Sequence, residues 1–148
     1  MKYNFEQNRS DYLTPLSILI DVLTEFEKAL FDLDTCCSFA YVPARKYFVY
    51  GKNDGLKENW SKFNWCNPPY NECNKWVKKA YDEQQKGNTT VMLIPVRTET
   101  KFWHDYILFN PNVKIKWLRK GYKFINAETH QEMGVFKNAL ALVYFYGA

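Results

Sequence analysis

Four adjacent residues in this chain have the types to do chemistry together: Asn67-Pro68-Pro69-Tyr70. An amide, two rigid carbonyl-bearing prolines and an aromatic ring form a clamp for a planar group carrying an NH₂. The amine of a base such as adenine is a poor nucleophile, because its lone pair is delocalised into the ring. Two acceptors set tetrahedrally around it would draw that lone pair out of conjugation. The side-chain oxygen of Asn67 and the backbone carbonyl of Pro68 can serve as the two. Proline fixes φ and has no N–H, and the second proline restricts the first, so the carbonyl is aimed in advance. The ring of Tyr70 can stack on the base, a contact worth about 1–3 kcal/mol. This set suits methylation of the amine by a sulfonium donor, S-adenosylmethionine, attacked in line from roughly 3–3.5 Å. A base inside a duplex reaches such a pocket only when flipped out, at a cost of a few kcal/mol. The plain alternative is that the four residues form a turn and no more.

Such a clamp needs a strand to deliver it and a helix to follow it. Phe63-Asn64-Trp65-Cys66 reads as the strand, and Asn71 can cap a helix running to about Lys86, with Trp76, Val77, Ala80 and Tyr81 on its buried side and Gly87 at its end. Ligand sites of open α/β sheets lie at this kind of junction. Upstream, Thr14-Pro15 opens a helix in which Leu16, Leu19, Ile20, Leu23, Phe26 and Leu30 recur at helical spacing. Phe31 to Asp34 and Tyr47 to Tyr50 read as short strands, and 51–55 is a turn cluster. Val91-Met92-Leu93-Ile94 is apolar throughout, as in a strand buried on both faces of a parallel sheet. A helix from Thr98 or Thr100 to Phe109 follows, then strands over Lys114 to Leu118 and Ala139 to Phe145, with a turn or bulge at Gly121. Strands alternating with helices predict an α/β fold with a mainly parallel sheet. A loose polar tail (1–10) and one domain (11–148) complete the expectation.

Composition narrows the class. The chain has 148 residues, 47% hydrophobic and 18% aromatic, which supports a packed core and argues against disorder. Net charge is +4, compatible with a polyanionic partner. Between Tyr106 and Ala127 there is no acid, while Lys114, Lys116, Arg119, Lys120 and Lys123 all fall there. That run reads either as a solvated face or as a surface for phosphates. Cys36, Cys37, Cys66 and Cys73 form no Cys-x-x-Cys pair and the polar start is no leader, so reduced thiols in a cytosol and no zinc site are expected. No apolar run approaches the ~20 residues that span a bilayer.

These pieces, in order, resemble the phage-type DNA N6-adenine methyltransferases. They are Asp11-Tyr12-Leu13-Thr14-Pro15, Phe31-Asp32-Leu33-Asp34-Thr35-Cys36, Asp54-Gly55-Leu56 with Trp60, Trp65 to Tyr70, and Pro95 to Thr100 with Trp103-His104-Asp105. The resemblance implies a compact Rossmann-like class I methyltransferase fold with an antiparallel C-terminal strand, using S-adenosylmethionine. It makes Asn67, Pro68, Pro69 and Tyr70 catalytic, and Tyr12, Thr14, Pro15, Asp34, Cys36 and Asp54 cofactor-binding. Thr14-Pro15 would touch the methionine part of the cofactor. Asp34, ending the first strand, would pair with the methionine ammonium, and Asp54 would accept from the adenine amine. Arg97, Thr98, Lys101, Arg119, Lys120 and Lys123 would bind DNA, and the implied setting is the cytoplasm of a bacterial host, as a phage or prophage protein. Local readings stand beside these: a helix cap for Thr14, turns for Asp34 and Asp54, and an ion pair with Glu99 or Asp105 for Arg97. The chain departs from the pattern at two points. It has no glycine-rich loop after Asp34, and Phe39-Ala40-Tyr41-Val42 replaces an Asn-containing polar stretch, so no ribose partner is named. Similar clamps also serve RNA bases and a protein glutamine amide, and a silent nucleic-acid binder is the reading from a different class.

Overall fold

The computed structural model describes residues 12–119, 123–126, 128–135 and 138–148, with Tyr12 and Val135 described by backbone alone. The 1–10 tail, Asp11, Lys120 and the turn expected at Gly121 lie outside the described residues. A six-stranded sheet is formed by β2 (Leu33–Cys37), β3 (Tyr47–Val49), β4 (Phe63–Cys66), β5 (Thr89–Pro95), β6 (Val113–Trp117) and β9 (Leu140–Phe145), in the order β3-β2-β4-β5-β9-β6. Its pairs are parallel from β3 to β5, and β9 runs antiparallel between β5 and β6, so β9 alone opposes the rest. The expected antiparallel last strand is thus observed within a mixed α/β fold whose sheet is mostly parallel. A second, antiparallel sheet joins β1 (Tyr12–Leu13), β7 (Lys123–Asn126) and β8 (Glu132–Val135), in the order β1-β7-β8. Sequence reasoning missed it: Lys123–Asn126 and Glu132–Val135 mix charged and apolar residues without the apolar character of a core strand, and Tyr12–Leu13 spans only two residues.

Helices cover both faces of the large sheet. On β5, Val91 and Leu93 pack toward α1 (Leu16–Glu25), while Met92 and Ile94 pack toward α2 (Cys73–Gln85) and α3 (Lys101–Trp103). On β9, Leu142 and Tyr144 face α1, and Ala141, Val143 and Phe145 face the other layer. The apolar run seen in the sequence is therefore that of a strand buried on both sides. Among the described residues, no helix is long and apolar enough to cross a membrane.

Several expectations need correction. Thr14 does not cap α1: Pro15 occupies the cap position with ψ 138° and no side-chain cap bond forms. The packed stripe of α1 is Ile18, Leu19, Val22 and Leu23, whereas Leu16 and Ile20 are exposed. The helix stops at Glu25, and Glu27 has φ 54°, so Leu30 lies beyond it. The first core strand runs Leu33–Cys37, so Asp34 sits inside β2, paired with Trp65, rather than at its end. Extended backbone continues through Cys37 because those small side chains are themselves buried. After the clamp comes a 3₁₀ turn, Tyr70–Glu72, before α2 begins at Cys73, and Asn71 caps nothing. The helix after β5 starts at Lys101 and widens into a π turn over His104–Leu108. Gly87 ends α2 as expected. It adopts φ 91°, its N–H donates to Gln84 O at 3.0 Å and Asn88 N–H donates to Glu83 O at 3.0 Å, a pairing that needs the left-handed conformation glycine tolerates.

Candidate active site

β4 carries the clamp to the carboxyl edge of the sheet, its four residues buried between β2 and β5. The two prolines after Asn67 are buried, and Pro69 holds φ −58° and ψ 125°. Its carbonyl accepts from Glu72 N–H at 3.1 Å, closing the 3₁₀ turn. Tyr70 is half-buried against the α1 layer.

Asn67 is held by two segments remote in sequence. Its Nδ2 lies 3.5 Å from Thr14 Oγ1, and its backbone oxygen accepts from the Cys36 thiol at 3.4 Å. The amide oxygen Oδ1 is buried with no hydrogen-bond partner among the described residues. Buried polar atoms are nearly always satisfied, and an orphan costs about 1–3 kcal/mol. Thr14, 3% exposed, takes its place through Leu13 of β1 and through its carbonyl, which accepts from Tyr41 OH at 3.0 Å.

Beside Asn67 opens a small, solvent-open cleft lined by Thr14, Asp34, Cys36, Phe39, Tyr41 and Trp65 among others. Asp34 is 3% exposed. Its Oδ1 accepts from Cys36 N–H at 3.3 Å, and no described lysine or arginine lines the cleft. Burial pushes its carboxyl up to about 8, with the Cys36 N–H pulling the other way. Burial also drives the Cys36 thiol up, helped by the Cys66 thiol alongside, so it stays protonated and can donate to Asn67. The cleft thus presents a carboxyl without a cation, a buried amide oxygen without a donor, and aromatic walls. That chemistry fits an organic cation carrying hydrogen-bond donors.

The cleft brings together Thr14, Asp34, Cys36 and Asn67. Other predicted residues stand elsewhere. Asp54 is exposed on the loop after β3, accepting from Leu56 N–H at 3.0 Å, with Lys57 Nζ at 3.9 Å. Gly55 behind it fixes that loop, since a Cβ would sit 2.3 Å from Thr35 O and 2.8 Å from the Trp76 ring. Arg97 is exposed at the end of β5 and donates to Glu99 at 2.6 Å. Thr98, also exposed, presents its carbonyl to His104 Nε2 at 2.8 Å. Lys101 pairs with Asp105, and Lys123 lies 3.9 Å from Glu132. Arg119 is exposed, and Lys120 lies outside the described residues. Lys114 and Lys116 do not form an unopposed basic face: Glu25 of α1 stands 3.8 Å and 3.1 Å from them.

Three aromatic residues near the site were not predicted. Phe39 and Tyr41 line the cleft. Tyr50 is 43% exposed, and partial burial pushes its phenol up, with Cys36, Cys66 and Glu72 adding to the effect. The signal for the first two was the aromatic stretch that departs from the family pattern.

The description DNA N-6-adenine-methyltransferase (Dam) belongs to the family that matches residues 3–146. A relative, the DNA N-6-adenine-methyltransferase of Haemophilus phage HP1 (strain HP1c1), is 32% identical over 117 residues, covering 78% of this chain and 66% of the phage protein. The chain spans just under two thirds of that relative's length. Among solved structures, a precorrin 8w decarboxylase from Methanobacterium thermoautotrophicum aligns over 91% of both chains at 14% identity, with a TM-score of 0.49. A likeness at that level carries no argument.

Proposed function

Because this chain belongs to the DNA N-6-adenine-methyltransferase (Dam) family, we propose that it methylates the N6 amine of adenine in DNA, using S-adenosylmethionine, with the target base flipped into the Asn67-Pro68-Pro69-Tyr70 clamp. The observation that carries the reading is Oδ1 of Asn67, buried and without a hydrogen-bond partner among the described residues, beside the cleft that holds Asp34. A substrate amine supplies the donor that this oxygen lacks.

The residues present fit the cofactor. When bound, S-adenosylmethionine supplies a methyl group activated by a positively charged sulfur. Asp34 takes the methionine ammonium and ionises as it does so, which removes the penalty of an unpaired buried charge. Phe39, Tyr41 and Trp65 give the cleft apolar walls that exclude water. Thr14 and Cys36 line the same cleft and would contact the cofactor there, while Asp54, exposed on the loop after β3, would meet only a part of the cofactor that extends beyond the cleft. The arrangement of a mostly parallel sheet with β9 reversed near one edge supports reading it as a class I methyltransferase fold.

At the substrate, Asn67 Oδ1 and the Pro68 carbonyl each accept from the N6 amine, pulling its lone pair out of the ring and toward the methyl donor. Tyr70 stacks on the base and holds its plane. No side chain is cast as a general base, since the proton leaves a nitrogen already made cationic. Arg97, Thr98, Lys101, Arg119, Lys120 and Lys123 contact the DNA, positioning it without reading its sequence. This setting makes the host cytoplasm the place of action.

The test is expression in a host lacking adenine methylation, followed by sequencing of its DNA for N6-methyladenine. The wild-type chain is expected to write the mark at a defined motif. Asn67→Ala is expected to abolish it while circular dichroism shows a retained fold. An unmarked wild-type genome, or a mark that persists at parental level in Asn67→Ala, overturns the reading.

A further inference from the structure

Cations that meet phosphates hold a duplex at any sequence, and Asn67 meets only a base already flipped. A mark written at a defined motif needs a further element that touches base edges. The small second sheet stands where such an element is required. The chain between β6 and β9 leaves and re-enters the large sheet at its carboxyl edge. β6 ends at Trp117, opposite Ala141, and β9 begins at Leu140, opposite Pro95 at the end of β5. Leu118 N–H, donating to Leu140 O at 3.0 Å, closes the neck. β7 is fastened to two neighbours of the clamp. Its Phe124, 2% exposed, belongs to the apolar cluster on which Tyr70 packs. Its Ile125 pairs with Leu13 of β1, and Leu13 and Thr14 line the cleft. β1 enters toward the cleft and β7 runs antiparallel to it, so the β7–β8 turn projects outward from the cleft mouth. At about 3.4 Å per residue, that turn begins on the order of 10 Å beyond Leu13.

The backbone of the turn is spent and its side chains are not. Asn126 Oδ1 accepts from Glu128 N–H at 2.8 Å and from Thr129 N–H at 2.9 Å. The Asn126 carbonyl accepts from His130 N–H at 2.9 Å, and Asn126 N–H donates to Gln131 O at 2.9 Å. Thr129 Oγ1 accepts from Gln131 N–H at 3.3 Å. His130 holds φ 60°, a left-handed conformation uncommon outside glycine. The side chains of His130 and Gln131 are exposed and, among the described residues, make no hydrogen bond or ion pair.

We infer that this turn is the specificity element: His130 and Gln131 enter the major groove beside the flipped adenine and read base edges there. The inference deepens the methyltransferase reading and rests on it. A two-stranded ribbon fits that groove, a glutamine amide both accepts from and donates to a single adenine, and a neutral imidazole carries one donor and one acceptor. Charge separates this role from phosphate binding. Glu128 and Glu132 are exposed at the turn, and Lys123, 3.9 Å from Glu132, offsets only one of them. Phosphates repel such a turn, whereas base edges present neutral donors and acceptors.

The double variant His130→Ala/Gln131→Ala tests this in the whole chain, because the backbone bonds of the turn do not use those side chains. In a host lacking adenine methylation, the wild type is expected to mark one motif, and the variant a motif relaxed at one or more positions. Between duplexes carrying the motif and a single mismatch, the ratio of kcat/KM values is expected to fall by about tenfold or more. Cofactor Kd is expected to stay within about twofold. Gln131→Glu keeps the shape and leaves only acceptors, and it is expected to shift the preferred base at its position toward one that offers a donor. A turn that merely holds β1 in place changes rate or stability and leaves the motif alone. An unchanged motif and ratio in both variants overturns the inference.

Failure of the reading beneath it is seen separately. A wild type that writes no mark overturns the methyltransferase reading. Binding then decides the turn. On addition of a mixed-sequence duplex, the backbone amide signals of residues 128–131 are expected to shift in NMR spectra. Signals that stay in place overturn the inference whatever the activity.

Discussion

Two buried acids in this chain meet opposite surroundings. Glu83 of α2 is fully buried and answered from several sides: Trp60 N–H donates to Oε1 at 2.6 Å, Lys86 Nζ lies 3.2 Å from Oε2, and Lys79 Nζ lies 3.8 Å away. Asp34 of β2 is almost as deeply buried, receives one N–H at 3.3 Å and, among the described residues, has no cation at the cleft. The first ties the Trp60 loop to a helix. The second is a charge site left open. The difference lies in charge matching rather than in hydrogen bonds alone, since Glu83 Oε2 and the indole nitrogens of Trp76 and Trp103 also lack a hydrogen-bond partner among the described residues. Asn67 Oδ1 lies beside the same cleft as Asp34, whereas Gln84, donating to Asn112 O at 2.9 Å and to Tyr146 O at 3.0 Å, ties the α2 layer to the chain end as Glu83 ties it to the Trp60 loop.

The contrast can be broken by experiment. The largest effect is expected at Glu83. Glu83→Ala strands two lysines and the Trp60 N–H, and should lower unfolding free energy by roughly 3 kcal/mol in urea titrations. Less than about 1 kcal/mol would mean that this acid is not structural. Asp34→Asn should do the reverse. An acid whose pKa is raised in the fold holds a proton that the unfolded chain has lost, so its contribution is intact below pH 3.8 and declines up to about pH 8. An amide at this position does not titrate and escapes that decline. The melting temperature of Asp34→Asn should therefore exceed that of the wild type at pH 8 and match it near pH 3.8. Over the same comparison, cofactor affinity should fall by on the order of a hundredfold. A variant that is both destabilised and competent to bind would reverse the assignment.

A subtler effect is proton release. Below a pH of about 8, Asp34 holds its proton in the free protein and must give it up to pair with an ammonium. Calorimetry of cofactor binding near neutral pH, in buffers of different ionisation enthalpy, should therefore show close to one proton released, and none in Asp34→Asn. Affinity should rise with pH up to about 8 and then level off. The smallest effect belongs to the paired surface. Glu99→Gln, which frees Arg97, should change stability by less than about 1 kcal/mol. Arg97→Ala should lower the salt slope of DNA binding by about one. An unchanged slope would remove Arg97 from the DNA surface.

Much of the scaffold was legible because it is local. The strand Phe63–Cys66 was read with its observed bounds, and Val91 to Ile94 announced a strand buried on both faces. The end of α2 at Gly87 followed from glycine's freedom at positive φ. What misled was equally local. Leu16 and Ile20 fit an apolar helical repeat and lie exposed, because only ten residues of that segment are helical and one face alone meets the sheet. The acid-free stretch around Lys114 and Lys116 suggested an open basic face, and Glu25, 91 residues from Lys116, closes part of it.

The amino-acid sequence by itself determined the Asn67-Pro68-Pro69-Tyr70 motif, the strand that delivers it and the alternation that builds a mostly parallel sheet, since each depends on neighbours along the chain. Only the tertiary structure decided that Thr14 lies against Asn67 rather than capping its own helix, that Asp34 lies buried with no described cation at the cleft, and that Phe39 and Tyr41 wall that cleft. Burial and pairing are properties of segments that meet in space. No periodicity encodes them, because desolvation and hydrogen-bond partnership act between residues that the sequence keeps far apart.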